Sequence, residues 1–309
     1  MPPASAGGKN LSMIRENEKK QTRIGILCAV SSALIWGALP IYWKSIESLN
    51  SLSIMFYRVI LAFVIVFIVC LIVYGPKKIV EPLKDKKTIA AFFFAGLTIS
   101  LNWGLYIWAV NSEHIIQTSI GYYINPLFVA AMGVIIFHEK VSKHKIGSLL
   151  IAIVGVCIMI VSYGQIPTVA LVLAVSFTIY TGIKKKLHAP ALLALLYETG
   201  LMLPIAIPCT IYMEVTGAGA FVNADPHQLF LLSFAGILTA IPLTLFGFAA
   251  NRMRVIDLGL IQYLSPTITL LIGIFMFNEP FDLFKFLGFI CIWIAIAIFT
   301  VGEKSSIKT

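Results

Sequence analysis

Two ionisable side chains lie inside otherwise apolar segments and are the first candidates for chemistry. Arg58 and Glu198 each stand well within a long apolar run. A charge in the hydrocarbon region of a membrane is costly, so such a residue marks a functional site or a pairing partner. Burial disfavours the charged form of a carboxyl group, which predicts proton binding and release at Glu198. The alternative is that each residue pairs with nearby polar groups and only holds helices together.

Polar faces on two other apolar runs form a second group of candidates. Tyr122 and Asn125 share one face of the fourth run, and Gln262 and Ser265 share one face of the ninth run. Polar side chains on a membrane helix avoid lipid, so both faces should point into a helix bundle. They predict a pocket between the two helices, although such residues also link helices by hydrogen bonds.

A proline follows each polar face directly, Pro126 after Asn125 and Pro266 after Ser265. Proline lacks the backbone donor and frees a carbonyl one turn earlier, so we expect a kink in both helices. Two kinked helices with facing polar surfaces are the best candidate for a substrate site.

Deeply placed aromatic and amide side chains extend this candidate pathway. Trp36, Asn102 and Trp103 are predicted to lie far from the ends of their runs, where an aromatic ring can stack on a ligand. Large aromatic residues also fill helix interfaces, and both readings stay open. The predicted pathway consists of Trp36, Asn102, Trp103, Tyr122, Asn125, Gln262, Tyr263 and Ser265.

Motifs typical of enzymes are absent from the sequence. It contains no HExxH, GxSxG or GxxxxGK[ST] pattern. The five cysteines and five histidines show no metal-ligand spacing. We therefore predict no enzymatic activity, no metal site and no cofactor.

Ten apolar runs supply the elements that would position these residues. Each is about as long as a helix needs to cross a hydrocarbon core of roughly 30 Å, and a lipid-immersed backbone favours helices. The predicted fold is therefore an all-α polytopic membrane protein. The runs lie at 24–43, 51–74, 88–110, 115–137, 146–163, 167–183, 190–213, 228–250, 258–277 and 286–301.

The basic residues predict the orientation. Twenty of the 23 lysines and arginines lie at the two chain ends or in every second gap between runs. Cytoplasmic loops carry this excess, so both termini should be cytoplasmic in the inner membrane. The net charge of +9 then reflects topology and attraction to anionic lipid, not a nucleic-acid partner.

An internal repeat divides the chain into two halves. A shift of 140 residues superposes Gly96 on Gly236 and Pro126 on Pro266, together with neighbouring asparagine, tyrosine and glutamate positions. Five runs per half is an odd number, so the halves must be inverted, as in secondary transporters. The predicted organisation is a disordered cytoplasmic tail, two five-helix repeats and a second cytoplasmic tail, at 1–23, 24–163, 167–301 and 302–309.

The chain resembles the RarD branch of the EamA-type transporters, in the drug/metabolite transporter superfamily. The likeness rests on the segments 102–111 (NWGLYIWAVN), 119–127 (SIGYYINPL) and 262–267 (QYLSPT), and on the intramembrane Glu198-Thr199. It covers the chain from Thr22 to the tenth run. The resemblance implies ten helices in two inverted repeats and movement of small molecules across the inner membrane.

These features predict a secondary transporter for a metabolite, amino acid or drug. We expect an exporter that works by alternating access and is coupled to protons. A passive channel of the same fold is one alternative, and an enzyme on lipid-linked substrates is another. Because the runs show no clear Gly-xxx-Gly face, a monomer or weak homodimer is expected.

Overall fold

The computed structural model describes residues 6–111, 115–164, 166–277 and 283–308. Within these residues all regular secondary structure is helical, including one short 3₁₀ helix at Glu81–Lys84. The helices of the first half are α1 (Ala6–Lys44), α2 (Ser51–Val80), α3 (Lys86–Asn111), α4 (Ile115–Ile135) and α5 (Lys143–Tyr163). Those of the second half are α6 (Thr168–Leu187), α7 (Ala191–Gly200), α8 (Leu203–Val215), α9 (Ala220–Asn223), α10 (Pro226–Ser233), α11 (Ala235–Arg252), α12 (Val255–Ile261), α13 (Leu264–Phe277) and α14 (Leu283–Lys308).

Eight of the described helical segments are long and apolar enough to cross a membrane. Further apolar helices are shorter in the described residues, at Ile120–Ile135, Ala191–Gly200 and Phe286–Phe299. Large apolar side chains cover the outside, among them Ile72 and Phe275, which are 80% and 77% exposed. An exterior of this kind suits lipid and not water, so the chain is a multi-pass membrane protein.

The first and last helices are longer than the apolar runs that predict them. α1 begins at Ala6, so it includes a polar segment that we assigned to the tail. α14 likewise continues to Lys308, through residues predicted to form the second tail. Apolar run length measures only the part of a helix inside lipid, whereas polar residues with good helix propensity extend it into water.

Proline and glycine interrupt two of the predicted spans. The seventh run divides into α7 and α8 at Leu201 and Met202, just before Pro204. The ninth run divides into α12 and α13 at Gln262 and Tyr263, one turn before Pro266. Pro266 has no N–H to donate to the Gln262 carbonyl, which accepts from Ser265 instead at 3.2 Å. By contrast, α4 continues through Pro126 as one helix.

The bundle centre contains α12, whose seven residues are all buried. Apart from Asp257, α12 is apolar on every side, and such a helix belongs in the interior of a bundle. α12 packs against α4, and α1 packs against α11 and α13. Helices of the two halves also meet where α6 packs against α3 and α4 and where α5 packs against α14.

Candidate functional site

A cavity of about 170 Å³ lies between helices of both halves. It is bounded by α1, α2, α3, α4, α6, α11 and the α12–α13 segment. Much of its wall is aromatic, and this part consists of Trp36, Trp43, Trp103, Tyr106, Tyr122 and Phe177. Concave sites with an apolar wall and a few polar groups are typical of small-molecule binding.

Most residues of the predicted site surround this one cavity. Ten of the twelve line it, and two lie elsewhere, namely Tyr263 and Glu198. The structure therefore brings together residues from both halves that are far apart in sequence. The ten are Trp36, Arg58, Asn102, Trp103, Tyr122, Asn125, Pro126, Gln262, Ser265 and Pro266.

Helix periodicity and the break before Pro266 together position the polar groups. Tyr122 and Asn125 are three residues apart on α4, so they face the same side of that helix. Gln262 lies in the break itself and Ser265 in the first turn of α13. Among the described residues, Asn125 Oδ1 and Gln262 Nε2 are buried without a hydrogen-bond partner. Unpaired buried polar atoms are costly, so both are suited to meet a polar group of a ligand.

Asn102 is anchored to a neighbouring helix. Its Nδ2 donates to the Leu173 carbonyl and to Ser176 Oγ, each at 2.8 Å. These bonds tie α3 to α6 at the cavity wall. Asn102 therefore shapes the cavity, because both amide hydrogens are used within the protein.

Arg58 reaches the cavity between two indole rings. Its Cζ lies 4.5 Å from the centroid of Trp43 and 4.6 Å from that of Trp103. Its Nε donates to Thr239 Oγ1 at 3.1 Å. These two cation–π contacts stabilise the guanidinium away from bulk water. Arg58 and Trp103 were candidates from the sequence, whereas Trp43 and Thr239 were not, because their proximity to Arg58 depends on how distant helices pack.

Glu198 lies outside the cavity in a buried ion pair. Its Oε1 is 2.9 Å from Lys184 Nζ, and its Oε2 accepts from the Tyr180 hydroxyl at 3.1 Å. The side chains of Lys184 and Glu198 are 3% and 1% exposed. The sixth apolar run ends at residue 183, which placed Lys184 in the gap after it, but α6 continues to Leu187 and buries Lys184. The carboxylate thus has a cationic partner that the sequence did not indicate.

Ion pairs link helices at one end of the bundle, next to the loops 136–142, 188–190 and 253–254, which we call the basic face. The carboxylate of Asp257 pairs with Lys145 and, at 3.1 Å, with Arg254 Nε. Glu139 accepts from the backbone N–H groups of Val255 and Ile256 at 2.7 and 2.9 Å, at the start of α12. A carboxylate at a helix N-terminus accepts hydrogen bonds from the free backbone N–H groups of the first turn. Its negative charge also interacts favourably with the positive end of the helix dipole.

Two tyrosines at equivalent positions of the sequence repeat have different environments. The hydroxyl of Tyr123 donates to the Pro266 carbonyl at 3.0 Å. Tyr263 is fully buried, and its hydroxyl has no hydrogen-bond partner among the described residues. The Pro126 carbonyl packs instead against Gly259, where a Cβ would lie only 2.7 Å away.

No group of three or more histidine, cysteine, aspartate or glutamate residues that could hold a metal ion occurs in the described part of the chain. The cavity wall contains neutral polar groups, aromatic rings and one guanidinium. Such a set can bind and orient a molecule, but it contains no nucleophile paired with a general base.

Comparison with known proteins identifies several relatives. The EamA-like transporter family model matches residues 23–161. The uncharacterized transporter YojE of Bacillus subtilis is 39% identical over 92% of this chain and 95% of its own length. The RarD protein of Streptomyces exfoliatus is 33% identical over 93% and 90%, and that of Escherichia coli is 33% identical over 92% and 96%. A crystal structure of another protein shares the fold, with a TM-score of 0.69 and 14% identity over 90% of this chain and 97% of that one.

Proposed function

Because this chain belongs to the EamA-like transporter family, in the group that contains the RarD proteins, we propose that it moves a small molecule across the membrane by alternating access. The observation that carries the proposal is the cavity between the halves, lined by the polar faces of α4 and the α12–α13 break. Secondary transporters of inverted-repeat design bind substrate at such an interface, beside interrupted helices.

Ten membrane-spanning helices in two inverted repeats, 24–163 and 167–301, are part of the proposal. Contacts that exchange under the 140-residue shift support it. A Cβ at Gly155 would lie 2.7 Å from the Gly288 carbonyl. Under the shift, Gly155 corresponds to Ala295 and Gly288 to Ser148. These two are also in contact, because the Ser148 hydroxyl donates to the Ala295 carbonyl at 2.6 Å. If a two-fold axis relates the repeats, each contact between them must recur between the equivalent residues with the repeats exchanged.

Close helix crossings at two equivalent glycines support the same relation. A Cβ at Gly96 would lie 2.4 Å from the Glu198 carbonyl, where α3 crosses α7. A Cβ at Gly236 would lie 2.6 Å from the Leu61 backbone, where α11 crosses α2. Under the shift, α3 corresponds to α11 and α7 to α2. The two glycines therefore lie at equivalent helix crossings.

The conformation is proposed to be outward-facing. The cavity wall extends to Trp43, near the end of α1, and to Tyr106, in the last part of α3. Both helices end opposite the basic face, whose ion pairs close the other side. With the basic face and both termini cytoplasmic, the cavity is reached from outside, and the substrate is exported when the halves alternate. We propose a monomer or weak homodimer in the inner membrane.

Proton coupling through Glu198 is a separate part of the proposal. In this conformation Lys184 is the counter-ion of the Glu198 carboxylate, and we propose that the pair separates when Glu198 takes part in coupling. The pair joins α6 to α7, and α6 also lines the cavity through Leu173 and Phe177. Rearrangement of α6 during alternation would therefore change the environment of Glu198.

Transport is tested by counterflow in proteoliposomes. A thermal-shift screen of purified protein against amino acids, metabolites and drugs first supplies a ligand. Liposomes preloaded with unlabelled ligand should then accumulate the labelled form transiently, because a carrier exchanges substrate across the bilayer. Saturable counterflow supports alternating access. Non-saturable flux without counterflow would indicate a channel and contradict the proposal.

A further inference from the structure

We propose that the cavity binds a substrate bearing a single carboxylate, and that Arg58 is the residue that binds it. The inference deepens the proposed transport function and rests on it, since it names the chemical class of the molecule that the same cavity takes. It follows from the charge of the wall, from the unused donors of Arg58 and from the groups opposite it.

The first step is the unused bonding capacity of Arg58. A guanidinium has five N–H donors, and in the described part of the chain one of them, on Nε, is used by Thr239. Trp43 and Trp103 contact the guanidinium through the faces of their rings, and no hydrogen bond from its two terminal nitrogens to a described residue is formed. A planar carboxylate matches the edge of a guanidinium with two parallel bonds.

The second step is the charge balance around the cavity. Within the described residues, Arg58 is the single charged side chain of the wall. The buried carboxylates of Glu198 and Asp257 already have cationic partners, Lys184 and Lys145. A partly buried cation without a counter-ion is costly, and an anionic ligand offsets that cost, whereas a cationic ligand increases it.

The third step is the wall away from Arg58, which defines the rest of the substrate. Trp36 and Phe177 are in edge contact at 6.0 Å between ring centroids and offer an apolar surface. Asn125 and Gln262 add unpaired amide atoms that can each meet a neutral polar group. The volume of about 170 Å³ is below the roughly 300–1,000 Å³ typical of drug-sized ligands. The substrate is therefore a small carboxylate with a compact apolar body.

Two sets of three probes test this inference on the unmodified protein, and within each set the body is the same and the head group differs. Isothermal titration would compare 3-phenylpropanoate, 3-phenylpropanamide and 3-phenylpropylamine. The aliphatic set consists of 4-methylpentanoate, 4-methylpentanamide and 4-methylpentylamine. We expect an acid to bind, its amide to bind roughly 10- to 100-fold more weakly, and the amine to show no binding. Equal binding of acid and amide, preference for an amine, or no binding of either acid would overturn the inference.

Variants then assign the preference to Arg58. Arg58→Gln should remove the discrimination between acid and amide, and Arg58→Lys should retain part of it because the charge remains without the planar edge. Lys77→Gln is the matched control, since it removes one charge from the exposed end of the same helix. If Arg58→Gln keeps the full preference for the acid, Arg58 is not the binding group.

The two proposals fail in different ways. An acid that binds through Arg58 but shows no counterflow would contradict transport and leave the anion site intact. Saturable counterflow of a neutral or cationic compound, unchanged in Arg58→Gln, would contradict the carboxylate site and leave transport intact.

Discussion

The Tyr123 and Tyr263 pair provides a direct test of exchange between the two halves. Under the proposed repeat, the bond from Tyr123 to the Pro266 carbonyl at 3.0 Å has a counterpart from Tyr263 to Pro126, which is not formed here. Alternation of inverted repeats exchanges their conformations. We therefore expect the opposite state to break the first bond and form the second.

The two phenylalanine variants should shift the conformational equilibrium in opposite directions. Tyr123→Phe removes a hydrogen bond of the present state worth about 0.5–1.5 kcal/mol, which lowers its population relative to the opposite state roughly 2- to 12-fold. Tyr263→Phe removes a buried hydroxyl that is unsatisfied here, so it favours the present state by about 1–3 kcal/mol.

Cysteine labelling measures this shift. A cysteine at Thr269, on the cavity wall, would be introduced into a protein lacking the five native cysteines. Its rate of modification by an impermeant reagent added outside reports the population of the outward-facing state. Tyr123→Phe should slow labelling and Tyr263→Phe should preserve or accelerate it. A change of the same sign in both variants, or no change in either, would refute the exchange of bonds.

Three further predictions concern the charged groups. Asp257→Asn leaves the buried Lys145 without its full counter-charge and should destabilise this conformation by about 3–5 kcal/mol. A cysteine in the cavity should then be labelled faster from the basic face, and unchanged labelling would mean that the pair does not close that side. Glu198→Gln should abolish transport driven by a pH gradient while ligand binding persists in thermal-shift assays; undiminished gradient-driven transport would leave Glu198 a structural residue. A cysteine at the exposed Lys186 should be labelled from the cytoplasmic side only, and efficient labelling from outside would reverse the proposed orientation.

Helix positions and shared faces could be predicted because both depend on local sequence. Run length indicated membrane helices, and three-residue spacing placed Tyr122 and Asn125 on one side of α4. The pairing of Gln262 with the same cavity followed from the matched prolines. In each case the relevant pattern lies within one helix or is repeated at a fixed separation.

Contacts between distant helices could not be predicted in the same way. The indole rings around Arg58 come from α1 and α3, and no spacing along the chain places them together. Lys184 was assigned to a loop because helix ends are uncertain by a few residues, and the α6 boundary decides whether it is buried. Tyr263 follows Gln262 directly, but adjacent helical residues point in different directions, and Tyr263 does not line the cavity in this conformation.

The ion pair between Lys184 and Glu198 also has a consequence for biosynthesis. A carboxylate near the middle of an apolar segment costs about 2.5–3.5 kcal/mol when that segment enters the bilayer alone. α7 is only ten residues long and is separated from α8 by a break, so it has little apolar length to offset this cost. Lys184 precedes Glu198 by only 14 residues and leaves the ribosome first. We therefore expect α6 and α7 to insert together as a helical hairpin in which Lys184 already neutralises Glu198. Insertion of α7 into the membrane then requires the basic side chain on α6.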